Sequence, residues 1–316
     1  MEESDRAKVA TQAMMLTAGL AEGIGPRRPT SDAEREAHDW LKVELEGCGL
    51  ESRLEPFRGF SSFAWPNALA LAALLVPGAL SGRAHRLGSA VSAVAAVSAL
   101  VEGGVVRTPL SDLVSWRQSQ NLVAEISPRE PHQRTVCLMC HVDSSRSGLM
   151  FHPRVTRWLP SLVRAQALAV VIQGADGLLS ARPGGRLALR IARLVGASGL
   201  AVLAERELFG EDVPGANDNA SGCGAAAAVS LAVARDPLRS TRVVLLCTGC
   251  EEAGLLGSQA FLRGHDTTGW LFLNLDGVGA RAALRYLPRE GLIQSWPADP
   301  GLIRLAERVA LSLIHI

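Results

Sequence analysis

The chain has 316 residues and a formal charge of +1, with 32 basic residues against 31 acidic ones. That balance leaves no electrostatic footprint for nucleic acid, and the length admits one large α/β domain or two ordinary ones with a substantial core. Six cysteines (Cys48, Cys137, Cys140, Cys223, Cys247, Cys250) lack the spacing of a small disulfide scaffold and read as reduced thiols, leaning toward a cytoplasmic side.

The opening MEESDRAKVA is charged and does not read as a cleaved signal peptide. Residues 5–22 and 32–47 read as two amphipathic helices, with Thr30, Ser31 and Asp32 as candidate N-caps and Gly47 and Gly49 as closers. Leu50–Phe57 alternates like a strand. From Gly59 to Gly82 no residue is charged, and a second uncharged run covers Leu87–Leu100 after Arg83, His85 and Arg86. A membrane helix needs roughly 20 apolar residues, so residues 59–106 are expected to form a helical hairpin inserted into a membrane. A buried hairpin in a soluble insertion is the alternative, and the basic link between the runs sits poorly with the usual bias of positive loops. Strands are expected at Gln120–Ile126 and Thr135–Cys140. Residues 154–205 form a second insertion, whose segments Leu162–Leu179 and Leu187–Leu203 carry Arg164, Asp176, Arg190 and Arg193. Those charges favour amphipathic helices lying on something apolar over true spans. Beyond them come a loop at Pro214–Gly222, a helix, a strand at Arg242–Leu246 and a helix at Gly254–Leu262. Strands at Trp270–Leu275 and Ala283–Leu287 and a helix at Gly301–Ala310 complete the pattern. Strands alternating with helices predict an α/β sheet with parallel members.

Four segments place acids or histidine where strands end. In Cys140-His141-Val142-Asp143-Ser144, residues two apart share a face, so Asp143 is expected to accept one ring N–H of His141 while the other nitrogen meets a metal. In GANDNASG (215–222), small residues let the backbone approach a ligand, and the Asp218 carboxylate suits a bridge between two cations. Glu251-Glu252 follows the apolar strand directly, where adjacent carboxylates repel unless cations or protons compensate. Asn274-Leu275-Asp276-Gly277 ends the next strand in an acid. Sites in open α/β sheets gather beyond the carboxyl ends of strands. Alone each segment has a bland reading as a turn or an N-cap; together they form a constellation.

HVDS, PGANDNASG, EE followed by AGLLGSQAF, and NLDGVG resemble, in order, the motifs of the co-catalytic zinc aminopeptidases, metallopeptidase family twenty-eight. The opening GPRRPTSDAEREAHDWLKVELEGCGLESRLEPF and SQNLVAEI are similar to that family's entry segment and second strand. The resemblance implies a three-layer zinc-exopeptidase-like fold, a mixed sheet with helices on both faces. It implies two Zn2+ ions, one held by His141, Asp218 and Asp276, with Asp218 bridging to a second held by Glu252. Glu251 would be the general base for a zinc-activated water, Asp143 would orient His141, and a cis peptide would follow Asp218. The implied activity is hydrolysis of N-terminal peptide bonds in peptide or aminoacyl substrates.

Two stretches, 59–106 and 154–205, depart from soluble members and are expected to place a single catalytic domain on the inner cell membrane, with a cytoplasmic location as the alternative. The family's final zinc-ligand histidine has no counterpart. His315 lies in the closing hexapeptide Leu311–Ile316, which reads as the translation of a transposon end, so residues 311–316 are expected to be non-native and the second zinc site incomplete. Two readings compete: a catalytically impaired membrane scaffold of the same fold, and a structural zinc ribbon built from Cys137-x-x-Cys140 and Cys247-x-x-Cys250.

Overall fold

The computed structural model describes residues 3–102, 108–279, 284–291 and 295–313. In chain order the helices and strands begin with α1 (Glu3–Ala18), α2 (Asp32–Gly47) and β1 (Ser52–Gly59). Next come α3 (Ala64–Leu75), α4 (Gly82–Glu102), the short α5 (Pro109–Asp112), β2 (Arg117–Ile126) and β3 (Arg134–His141). The short α6 (Pro153–Thr156), α7 (Leu159–Gly174), the short α8 (Asp176–Leu179) and α9 (Pro183–Phe209) follow. The last are α10 (Gly222–Arg235), β4 (Thr241–Thr248), α11 (Leu256–Gly264), β5 (Leu271–Asn274), the two-residue β6 (Arg289–Glu290) and β7 (Trp296–Pro297), and α12 (Pro300–Leu313). The expected strand over Ala283–Leu287 does not form at 284–287. Leu284 and Leu287 stay exposed and pair with no strand among the described residues, and Ala283 lies outside them.

The chain divides into two compact units, one of residues 1–66, 111–148 and 205–280, the other of 67–110, 149–204 and 281–316. The first is an α/β unit around a five-stranded sheet of order β1-β2-β4-β3-β5. β1–β2 and β2–β4 are antiparallel, while β3 lies parallel to both β4 and β5. Alternate residues of each strand go to opposite faces. Leu122, Ala124, Leu138, Cys140, Leu245 and Cys247 join Leu16, Leu41, Leu45, Cys223 and Leu231 of α1, α2 and α10 on one face. On the other, Val123, Cys137, Val244 and Leu246 pack against Phe261 of α11, with Trp270 and Phe272 beside them. The result is a three-layer α/β arrangement with helices on both faces. Because β3, β4 and β5 run parallel, their carboxyl ends lie at one edge, and the four acidic or histidine segments follow from that edge or from the loop entering α10.

The second unit collects both expected insertions. Its interior is made of Leu71, Leu74, Ala95, Ala96 and Val170, with Ala73, Ala99, Leu200 and Leu203 against them. Helices α4 and α9 are long and apolar enough to cross a membrane by length and composition, whereas α7 is shorter. A helix of 27 residues at Pro183–Phe209 exceeds the amphipathic segment expected at Leu187–Leu203.

Candidate metal centre

Helix α2 starts from Ser31, whose Oγ accepts the Glu34 N–H at 3.1 Å, a cap placed where the Ser-x-x-Glu spacing calls for one. The Glu34 carboxylate then does more than close a cap. It accepts the Thr30 N–H at 2.7 Å, the Ser119 hydroxyl at 2.9 Å and the Cys250 N–H at 2.8 Å. The fully buried Asp143 carboxylate accepts the next two amides, Glu251 N–H at 3.0 Å and Glu252 N–H at 2.9 Å. Three consecutive N–H groups after β4 are thus held by two buried carboxylates. That fixes the backbone from which Glu251 and Glu252 project.

The loop before α10 is fixed from the other side. A cis peptide joins Asp218 and Asn219. Asn219 accepts the Gly222 N–H at 3.0 Å and the Gly277 N–H at 3.3 Å, and its amide donates to the Leu275 carbonyl at 2.9 Å. Asn217 accepts the Gly279 N–H at 2.9 Å. The two asparagines therefore tie this loop to the turn after β5, which carries Asp276. Gly222 is needed for the approach, since a Cβ there would come within 2.2 Å of the Leu275 carbonyl oxygen. Arg27, fully buried, binds the remaining loops. Its guanidinium donates to the carbonyls of Val142 and Leu20 at 2.8 Å each and of Pro214 at 2.8 Å. Burial pulls its pKa down, against the opposing charges of Cys223 and Asp143.

At the centre stands His141, 2% exposed, at the end of β3. Its Nε2 faces Asp218 Oδ1 at 3.1 Å, Glu251 Oε2 at 3.8 Å and Asp276 Oδ2 at 3.8 Å. Nδ1 lies 3.0 Å from the Asp143 backbone carbonyl and 3.6 Å from that residue's carboxylate. The expected partner, Asp143, is therefore in place, but the shorter contact is through its main chain while its carboxylate serves the 251–252 amides. Burial alone would lower the His141 pKa; Asp143, Asp218 and Glu251 outweigh it and hold it well above the usual value. Contact with His141 keeps Asp218 below the ordinary aspartate range. Desolvation pushes Glu251 up to about 8, with Asp143, Glu252 and Asp276 adding repulsion against the pull of His141. The same cause, joined by Asp143 and Asp218, takes Glu252 to about 7.

The fit to a cation can be tested on these groups. The buried His141 Nε2 has no aligned hydrogen-bond partner although three carboxylates surround it. His141, Asp218 and Asp276 each offer one ligand atom, all within 4.8 Å of one another. A neutral imidazole nitrogen and carboxylate oxygens are the donor set of a zinc site, and carboxylates pushed together this way call for a compensating positive charge. Glu252 is not in that group of three; it lines a small cavity together with Arg28, Ser144, Arg146 and Arg206. His315 lies outside the described residues.

The thiols do not form a ribbon. Cys137 points into the layer under Phe261, Cys140 and Cys247 into the opposite layer, and Cys250 into a third apolar cluster with Phe60 and Leu256. Positions three apart on a strand face opposite ways, and among the described residues the candidate metal group contains no cysteine. Glu34 and Arg27 were not singled out by the sequence. The only local signal for Glu34 is the capping spacing from Ser31, and nothing local marks Arg27.

Residues 199–312 match the family described as Peptidase family M28. Among solved structures, a zinc aminopeptidase from Bacillus subtilis is 14% identical, with 85% of this chain and 69% of that chain covered and a TM-score of 0.44. A Zn-dependent exopeptidase from Parabacteroides distasonis is 13% identical, with 86% and 62% covered and a TM-score of 0.46. A glutaminyl cyclase from Bacteroides thetaiotaomicron is 14% identical, with 86% and 63% covered and a TM-score of 0.44. The chain thus spans 62–69% of the length of these solved proteins. No curated protein sequence matches it. The family match takes in the loop of Asp218, the acidic pair after β4 and the turn of Asp276, so this stretch of the chain is similar to peptidase family M28.

Proposed function

We propose that the chain is a zinc-dependent metallo-exopeptidase of the aminopeptidase type, acting on peptides with a free amino terminus. The observation that carries this reading is the unsatisfied His141 Nε2 with the carboxylates of Asp218, Asp276 and Glu251 within 3.8 Å of it. His141, Asp218 and Asp276 would hold one zinc, and Asp218 would share a second with Glu252. Bound zinc supplies Lewis acidity and brings the pKa of a water toward neutrality.

The chain's own residues supply the rest. Glu251 Oε2 lies 3.8 Å from His141 Nε2, which supports a role for its carboxylate in taking a proton from the attacking water and returning it to the leaving amine. Asp143 holds the Glu251 amide and Glu34 the amide of Cys250 before it. A membrane location goes with this function, on the strength of the two long apolar helices.

The test is an assay of the full chain, supplied with zinc, on aminoacyl chromogenic substrates. Chelator is expected to abolish hydrolysis, and Glu251→Gln to lower kcat by about 10²–10⁴-fold while zinc binding persists. Hydrolysis that survives both treatments ends the reading. A zinc-loaded parent chain with no hydrolysis supports the impaired-scaffold alternative instead.

A further inference from the structure

Helix α4 is built inside out. Its six large apolar residues, Leu87, Val91, Val94, Val97, Leu100 and Val101, are all exposed, Leu87 by 72% and Val94 by 69%. Its buried residues are Gly88, Ser89, Ser92, Ala95 and Ala96. A helix covering a core in water shows the opposite distribution, with an apolar stripe inward and polar residues outward. Helix α9 repeats the pattern on its outer side, where Leu187, Ile191 and Leu194 recur at helical spacing and are exposed by 56–73%. These helices are therefore not the buried core helices of a soluble domain.

Polar groups sit among the small and apolar side chains inside the unit. Ser92 donates to the Gln173 carbonyl at 3.0 Å. On α9, a Cβ at Gly196 would lie 2.9 Å from Gln173 Nε2, and one at Gly199 would lie 2.8 Å from Gln166 Oε1. Small residues that let helices approach closely, with a serine hydroxyl bonding across as Ser92 does, are how helices associate in lipid. Asp176, 1% exposed, sits where α7 gives way to α8. It accepts from Ser89 of α4 at 2.6 Å, stands 3.0 Å from His85 Nε2 and pairs with Arg193 of α9. Ionisable groups in a bilayer face the bundle interior and pair with one another in this way.

Dimensions and ends agree. At 1.5 Å per residue, α4 and α9, with 21 and 27 residues, exceed the ~30 Å hydrocarbon thickness, whereas α3 and α7, with 12 and 16, reach only part of the way through. Trp65 and Trp158, both exposed, stand at the starts of α3 and α7, the helices that open the two hairpins, whereas Arg83, Arg86, Arg182 and Arg186 lie at the two connections. Trp and Arg concentrate at such membrane-water boundaries.

We propose that both hairpins, α3–α4 and α7–α9, lie within a lipid bilayer, the outer Leu and Val stripes of α4 and α9 against acyl chains and the Asp176 cluster joining the hairpins inside. The second hairpin thus enters the lipid along with the first, and this inference stands independently of the peptidase reading.

The experiment uses the full chain in a Cys48→Ser background, since the other five thiols are buried. An environment-sensitive fluorophore is attached at Val94→Cys, at Leu194→Cys or, as a water control on α2, at Val43→Cys, a position 65% exposed. In phosphatidylcholine vesicles, the first two are expected to emit at shorter wavelength and to lose most of their fluorescence to acyl-chain spin labels, while the third does neither. Membranes holding the chain should retain it through an alkaline carbonate wash. Unquenched dyes at Val94 and Leu194 overturn the proposal, as does a chain that stays dispersed in detergent-free buffer as a monomer. A detergent-free dimer that shields both dyes also overturns it and assigns the stripes to a second copy of the chain.

Discussion

Three amides in a row, those of Cys250, Glu251 and Glu252, end on buried carboxylates of Glu34 and Asp143. Removing one acceptor leaves a buried N–H without a partner, at a cost of about 1–3 kcal/mol. Glu34→Ala, which leaves Thr30 N–H, the Ser119 hydroxyl and Cys250 N–H without their acceptor, is therefore expected to lower stability by at least that amount in urea unfolding and to reduce kcat more than it raises KM, because it loosens the backbone beneath Glu251 without touching substrate. An unchanged kcat in a folded Glu34→Ala protein would reduce Glu34 to a packing role. The same carboxylates set a pH dependence. In the folded, metal-free chain Glu34 and Glu251 titrate at about 8 and Glu252 at about 7, against an ordinary 4.5. The folded state keeps protons that the unfolded state has already released in that window. Its stabilisation is complete below about pH 4.5 and is lost as pH rises through 7 and 8. His141, whose pKa is also raised, works in the same direction. Chelator-treated protein should thus show a higher Tm near pH 5 than near pH 8.5; a Tm that rises over this range would mean these groups are well solvated.

Among elements, the connections between segments matter more than the segments themselves. Asp176 links α4 and α9 through Ser89, His85 and Arg193. Breaking one partner of a buried ion pair costs about 3–5 kcal/mol because the other charge is left uncompensated. Asp176→Ala should therefore separate the hairpins, seen as new protease cleavage at the connection between α8 and α9 in the full chain. Resistance equal to the parent would show that the small-residue contacts suffice alone. Arg27 does the comparable task in the α/β unit, joining the carbonyls of Leu20, Val142 and Pro214. Lysine carries one compact charge without the planar fork, so Arg27→Lys should weaken zinc binding together with stability.

For the whole molecule, two units with different interiors imply two different responses to metal. Any ligand that binds only the folded state stabilises it by RT ln(1 + [L]/Kd), about 2.7 kcal/mol at 100 times Kd. The candidate metal ligands all belong to the α/β unit. Calorimetry of the full chain is expected to show zinc raising the transition of that unit and leaving the helical unit's transition in place. A zinc-insensitive scan would remove the centre from His141.

Much of the centre was legible in the sequence because its parts are local. His141, Asp218, Glu251 and Asp276 each lie one to four residues beyond an apolar run or just before a helix, and the parallel order of β3, β4 and β5 then brings those ends together. Helix and strand periods likewise located α1, α2, β2, β3 and β4. Only tertiary structure decided the partners across the chain. Glu34 and Cys250 are 216 residues apart, and no period or spacing encodes a side chain that reaches a distant amide. It also decided which way the hairpins face. An apolar run states how much hydrocarbon a helix carries, whereas packing determines whether valine or serine turns inward; in α4 the serines do.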